Sequence, residues 1–198
     1  MTPPKYTPDL PRVSQIVESV YPFIGNAKER FEDWLMANDI WVEEYMQEAS
    51  EGGTYVHTAM EEYAKTWIWR WKKYKKIVDA WIQFHKDTSI ITLASEHYIR
   101  TSQYQGTIDR IAEYNWEVWI IDWKTWSLAK DKFWLKNTYK KSYDKIKKTR
   151  LQLSLYAYAM WIKKIWVVEL RNEWYYFYPL ELIPLEEIEE ILKQFKER

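Results

Sequence analysis

The 198 residues contain no cysteine, which excludes disulfides, thiolate zinc sites and cysteine-ligated iron–sulfur clusters. No apolar run reaches the roughly eighteen residues of a membrane-spanning helix, so no membrane span is expected. The opening Met1-Thr-Pro-Pro-Lys-Tyr has no charged stretch followed by an apolar one, so no secretory leader is expected either. A reducing cytoplasm is the compartment these absences suggest. Net charge is also missing: 29 basic residues balance 29 acidic ones. As an average, that argues against a polyanionic partner. Glycine is scarce as well, with four residues against fourteen tryptophans, whereas glycine ordinarily makes up about 7% of a chain.

Some tryptophans stand where the backbone favours glycine. Asn115-Trp116 separates two strand-like runs, the place where Asn-Gly makes a tight hairpin turn. Trp161 ends a helix-like run where a left-handed cap residue is usual, and Trp126 follows Asp122-Trp-Lys-Thr. Two readings stand side by side. Either the protein is Trp-rich throughout, or some tryptophans represent glycine codons read under the wrong genetic table. Tryptophan found by mass spectrometry at 116, 126 and 161 would exclude the second.

The neutral average hides asymmetry. Lys130 to Arg150 carries nine basic residues against two acidic ones, with Phe133, Trp134, Tyr139 and Tyr143 interleaved. Arg70-Trp-Lys-Lys-Tyr-Lys-Lys76 is a second basic cluster, and Glu181 to Arg198 is acidic. The acidic tail reads as a solvated helix face. For the 130–150 stretch, contact with phosphates through Lys140, Lys141, Lys147, Lys148 and Arg150 stands beside the solvated-face reading.

Periodicity predicts helix over Val13–Val20 with Ser14 as cap, and over Asn26–Ala49. A break is expected at Glu51-Gly-Gly-Thr54, with Thr54 capping a helix from Tyr55 to about Lys75 that carries His57 and Glu61 one turn apart. Strand patterns follow at Ile90–Leu93 and Glu96–Tyr104, then a hairpin of Gln105–Tyr114 and Glu117–Thr125. Helix is predicted over Arg150–Met160, a second hairpin over Ile165–Arg171 and Trp174–Leu180, and a closing helix opened by Pro184. The expectation is a single α/β domain over 1–198, its mixed sheet of about five strands flanked by helices. Its parts would be helices over about 13–76, a core over about 90–180 and a last helix over about 184–197.

In Ile120-Ile-Asp122-Trp-Lys124, strand alternation places Asp122 and Lys124 on one face. Pairing about Asn115-Trp116 puts Tyr114 opposite Glu117, and the same register carries Asp109 to Asp122. Like charges set directly opposite each other destabilise a sheet. A hard divalent cation bridging carboxylate oxygens offsets the repulsion, and Mg²⁺ is the usual ion beside phosphate. The competing explanation is simple salt-bridging, Asp122 with Lys124 and Asp109 with Arg110.

Gly106-x-x-Asp109, Asp122-x-Lys124 and Gln152-x-x-x-Tyr156, in that order, resemble the motif set of RecB-type exonucleases of the PD-(D/E)XK nuclease superfamily. Gly53-x-x-x-His57-x-x-x-Glu61 resembles the helical histidine motif of the same group, and Glu96 the acid of its first core strand. The resemblance covers Gly53 to Tyr156. It implies a restriction-endonuclease-like fold and metal-dependent hydrolysis of phosphodiesters in DNA, with Mn²⁺ able to replace Mg²⁺. By the same resemblance, Asp109, Asp122, His57 and the Trp123 carbonyl would bind metal, and Lys124 would polarise the attacking water. Gln152 and Tyr156 would contact DNA or hold the lysine, Glu96 would support the site, and Glu61 could orient His57. Without cysteines the chain falls among cluster-free relatives. It has no phosphate-binding Gly-rich loop, so any motor would be another chain. An exonuclease of microbial or phage replication, recombination or repair is the leading expectation, with a helicase, recombinase or single-strand binding protein as possible partners. The alternatives are an endonuclease of restriction or mobile-element type, and a catalytically degenerate DNA-binding or assembly module with the same fold.

Overall fold

The computed structural model describes residues 6–22, 26–66, 74–125, 143–172 and 174–197. Six helices and five strands lie among them: α1 (Val13–Val20), α2 (Asn26–Met36), α3 (Val42–Thr66), α4 (Lys75–Thr88), β1 (Ile91–Arg100), β2 (Gln105–Tyr114), β3 (Glu117–Lys124), α5 (Tyr143–Met160), β4 (Lys164–Arg171), β5 (Trp174–Leu180) and α6 (Leu185–Lys196). The strands form one mixed sheet in the order β1-β2-β3-β4-β5. Every neighbouring pair is antiparallel except β3 and β4, which run parallel. A parallel pair needs a long crossover, and α5 lies in it.

The two central strands read as near-continuous apolar runs because both of their faces are covered. On one face α1, α5 and α6 bury Ile16, Leu151, Leu155 and Ile188 against Ile120 and Val167. On the other, α3 and α4 bury Val56, Met60, Ile77 and Phe84 against Ile121, Trp123 and Val168. Helix α1 places Val13, Ile16 and Val17 inward at i, i+3, i+4 spacing. Helix α6 starts with Glu186 and Glu187 and ends with Lys193 and Lys196, complementing its dipole at both ends. Among the described residues no helix is long and apolar enough to cross a membrane.

Several local expectations are corrected. The cap of α1 is Arg12, whose backbone N–H donates to the Gln15 side chain at 2.7 Å; Ser14 lies inside the helix. The single helix expected over 26–49 is two, divided at Asp39, which adopts φ 55°. The expected break at Gly52-Gly53 is absent, because α3 runs straight through it. Thr54 there bonds back to the Ser50 carbonyl instead of capping a new helix. Two helical glycines weaken a helix by about 1 kcal/mol each, an amount that the burial of Val56, Ala59 and Met60 exceeds. Of the helix expected to reach Lys75, α3 is described to Thr66 and residues 67–73 lie outside the described residues; α4, read as part of no element, is a helix that opens after Tyr74, left-handed at φ 55°. Tyr104 lies outside β1, which is one strand with an irregularity between Thr92 and Ala94 instead of two runs. Pro184 is the residue before α6, not its first.

Two sets of tryptophans stand out among the described residues. Trp81, Trp119, Trp123 and Trp166 are buried in the α3–α4 layer, ring against ring. Trp116 and Trp161 are 94% and 91% exposed, and both are left-handed, at φ 63° and 57°. Those two have the backbone conformation that glycine adopts freely and tryptophan does not. Trp126 lies outside the described residues.

Candidate active site

The hairpin closes as its turn chemistry predicts. Asn115 and Trp116 take φ 49° and 63°, and the pairing runs from Tyr114↔Glu117 to Arg110↔Ile121. Asp109 and Asp122 come next in register, but the ladder stops before them. Instead the backbone N–H of Trp123 donates to Asp109 Oδ2 at 3.1 Å. Strand alternation is interrupted here too, since Ile108 and Ile111 pack into the same core. Glu96 lies opposite Asp109, between the pairs Ser95↔Arg110 and His97↔Ile108, and has φ 47°. That conformation in a strand interior is strained for a residue with a Cβ, and strain of this kind gathers at functional sites.

Helix α3 supplies His57. Its Nδ1 is 3.9 Å from Glu96 Oε1 and 3.9 Å from Asp109 Oδ2. One ligand atom from each of His57, Glu96 and Asp109 lies within 4.8 Å of the others. An imidazole nitrogen with two carboxylates is a donor set that suits a divalent cation. Burial opposes a charge on the imidazole, but Glu96 and the negative charges of Asp109 and Asp122 outweigh it and raise its pKa.

Asp122 sits deeper. Its Oδ2 is 2.7 Å from Lys124 Nζ, and its Oδ1 accepts a hydrogen bond from Gln152 Nε2 at 3.2 Å. Only 3% of its side chain is exposed. Burial first, and repulsion from Asp109, push its pKa up to about 6 against the pull of Lys124. Burial disfavours the Lys124 ammonium, yet Asp122 and Asp109 hold its pKa above the usual lysine value. The Asp122–Lys124 half of the salt-bridge explanation is therefore present, as a buried pair. Asp109 instead faces Trp123 and His57.

Helix α5 closes the cluster with Gln152 and Tyr156, one turn apart. Burial, then the charges of Asp109 and Asp122, keep the Tyr156 phenol protonated well above its ordinary range. The ring of Tyr156 lies directly over Gly106: a Cβ there would stand 2.6 Å from Cε1. This close approach accounts for glycine three residues before Asp109. Gly53 on α3 is less constrained, since a Cβ would only touch Thr125 Oγ1 at 3.6 Å.

His57, Asp109, Asp122, Lys124, Gln152 and Tyr156, brought from four elements, are thus joined by contacts or mutual fields. Glu96, expected only in support, stands with His57 and Asp109 in the tightest donor group. No sequence signal announces its left-handed backbone. Trp123 presents its N–H to Asp109, where a carbonyl was expected to serve. Glu61, the next turn of α3, lines a separate cavity. Glu169, which pairs with Lys124 in the β3–β4 register and is buried beside Arg171 at 2.8 Å, was not singled out at all. A lone acid in the apolar run Ile165–Leu170 is the signal that marks it. Of the basic residues, Lys148 pairs with Glu18 at 3.1 Å. Arg150 donates to the carbonyls of Glu181 and Leu182. Lys140 and Lys141, like 70–73 of the other basic cluster, lie outside the described residues.

A mixed five-stranded sheet with Asp-x-Lys at the end of a central strand, a second acid on the neighbouring strand and helices on both faces is a restriction-endonuclease-like core. The family model of the PD-(D/E)XK nuclease superfamily matches residues 15–184. The chain belongs to that superfamily. Among solved structures it is similar to the alkaline exonuclease LHK-Exo from Laribacter hongkongensis, with 13% identity, 94% of this chain and 85% of that chain covered, and a TM-score of 0.50. The same exonuclease in complex with dAMP gives the same values. A phage-related exonuclease from Haemophilus somnus 129PT is matched at 10% identity, with 93% and 88% covered and a TM-score of 0.43. No curated protein matches the sequence.

Proposed function

We propose that the chain is a metal-dependent DNA nuclease, an exonuclease of RecB type that works with Mg²⁺ and tolerates Mn²⁺. The observation that carries this reading is the gathering of His57, Glu96 and Asp109 ligand atoms within 4.8 Å, next to the buried Asp122–Lys124 pair. The carboxylates of Glu96, Asp109 and Asp122, gathered around one histidine, repel one another, and a cation offsets that repulsion. His57, Glu96 and Asp109 would hold it, with Asp122 and the Trp123 carbonyl as the further ligands that the motif implies. When bound, the ion neutralises phosphate charge, acidifies a water and stabilises the leaving oxygen.

The chain's own groups supply the rest. Lys124 carries its proton throughout and places a fixed positive charge where negative charge develops on the phosphate. Gln152 fixes the Asp122 carboxylate through its amide. Tyr156 stays a neutral donor and closes the wall over Gly106. Among the described residues no nucleophilic serine–histidine–acid arrangement competes with an activated water. The exonuclease reading draws on the RecB-like order of motifs and on the names of the structural relatives. Replication, recombination or repair in the cytoplasm of a microbe or its phage is the setting it suits, with a helicase, recombinase or single-strand binding protein as partner.

The test is incubation with end-labelled single- and double-stranded linear DNA and a closed circle, under Mg²⁺, Mn²⁺ or EDTA, beside Lys124→Ala. Metal-dependent loss of linear DNA that requires Lys124 and spares the circle is expected. Cutting of the circle would favour an endonuclease. DNA bound but uncut under every metal would replace the proposal with a degenerate binding module.

A further inference from the structure

A cavity of about 730 Å³ opens on the α3–α4 side of the sheet, bounded by the end of α3, by α4 and by β1. None of His57, Glu96, Asp109, Asp122 and Lys124 lines this space. Its wall is mainly apolar, with Trp81, Ile82, Ile90 and Leu93 prominent. Three charged groups interrupt it: Glu61, Lys86 and Arg110, the last only 2% exposed.

Arg110 is under-partnered for a buried cation. One terminal nitrogen donates to Thr92 Oγ1 at 3.1 Å, while its Nε has no hydrogen-bond partner. The carboxylates of Asp109, Glu96 and Glu61 act on it through space, without a hydrogen bond. Among the described residues none forms an ion pair with it. The rings of Trp81 and Trp123 stand 5.8 and 6.0 Å from the guanidinium carbon. Trp81 Nε1 and His85 Nε2, on residues of the same wall, also lack partners. Burial and then Arg110 push the His85 pKa down to about 4, so this ring is neutral and adds no charge. Folded chains pair their buried charges, because desolvation of an isolated ion is heavily unfavourable. Arg110 and Lys86 outnumber Glu61 on this wall, and that positive balance is complementary to an anion.

We propose that this cavity binds an organic carboxylate, its head on Arg110 and its apolar or aromatic body against Trp81, Ile82 and Leu93. The volume suits a ligand of drug-like size, and the proportions of the wall suit one charged group on a large apolar body. A small inorganic anion would leave the apolar wall uncovered. The guanidinium sets the charge of the head, and the wall selects the body.

Isothermal titration of the full chain tests this with 2-naphthoate and decanoate as aromatic and alkyl probes. Their neutral counterparts, 2-naphthol and 1-decanol, and inorganic phosphate serve as controls. One acid or both should bind with one-to-one stoichiometry, and about tenfold or more tightly than the matching alcohol, the preference that a charge-assisted hydrogen bond supplies. Arg110→Gln should abolish that preference. Ala64→Phe, which puts a large side chain into the cavity from α3, should abolish binding itself. Absence of binding by both acids overturns the proposal, as does equal binding of acid and alcohol or tight binding of phosphate alone. Should Arg110→Gln fail to fold, Ala64→Phe decides: acid binding unchanged in that variant overturns the proposal.

Discussion

Asparagine at position 122 should stabilise the metal-free protein at pH 8, and stabilise it less at pH 5. In the fold the Asp122 carboxyl titrates at about 6 instead of 3.8, because burial and Asp109 together outweigh Lys124. A carboxyl whose pKa is higher in the folded state holds its proton more tightly there. The ionised form is therefore a penalty on the fold, at full size above pH 6 and relieved as pH falls toward 3.8. At about 1.4 kcal/mol per tenfold, the penalty is about 3 kcal/mol at pH 8 and about half of that at pH 5. Asparagine mimics the neutral acid, and its oxygen can still accept from Gln152. The stability gap between variant and wild type should thus shrink to about half between pH 8 and pH 5. His57 adds to the same trend. Its raised pKa stabilises the fold below 6.5 and loses that effect as pH rises through the folded value, and Asp122 is one cause of the rise. Urea unfolding in EDTA at pH 5, 6, 7 and 8 measures the gap directly. A gap that does not change with pH, or a variant less stable than wild type at pH 8, would refute the reasoning.

Gly106→Ala should destabilise the fold by about 1–3 kcal/mol, the usual range for overpacking, because its Cβ would stand 2.6 Å from the Tyr156 ring. A double-mutant cycle with Tyr156→Ala should recover most of that loss. Trp116→Gly and Trp161→Gly should each stabilise by about 0.5–1 kcal/mol: relief of a left-handed backbone is worth about 1–2 kcal/mol, and glycine returns part of it as unfolded-state entropy. Denaturant midpoints check this, with additivity expected for two turns that share no contact. Lys147→Gln with Lys148→Gln should weaken DNA binding and flatten its salt dependence. Unchanged affinity and slope in a filter-binding titration across salt would assign both lysines to a solvated face.

The hairpin register was legible from residue types alone. Asn115-Trp116 sets a two-residue turn, and alternation on either side of it leaves one pairing that buries Ile111 and Ile120 together. Asp122 and Lys124 on one face follow from the same period, as does the helix that carries Gln152 and Tyr156. The glycines misled in one case. Gly52-Gly53 is a local break signal, but burial of the next turn of α3 decides the backbone there. Helix α4 was hidden for the opposite reason, since its basic start gave no boundary before Lys75.

What the sequence by itself determined is therefore the pairing of the β2–β3 hairpin, the presence of Asp109, Asp122 and Lys124 on it, and the family the chain belongs to. All of these rest on nearest-neighbour geometry, in which period and turn type leave few choices. Only the tertiary structure decided which acids share a space. Glu96 comes to His57 and Asp109 through a left-handed residue inside a strand, and Asp122 sinks against Lys124 and Gln152. The buried guanidinium of Arg110 belongs to the same class of fact. Burial and charge proximity between distant segments arise from packing three layers together, and no local pattern encodes them.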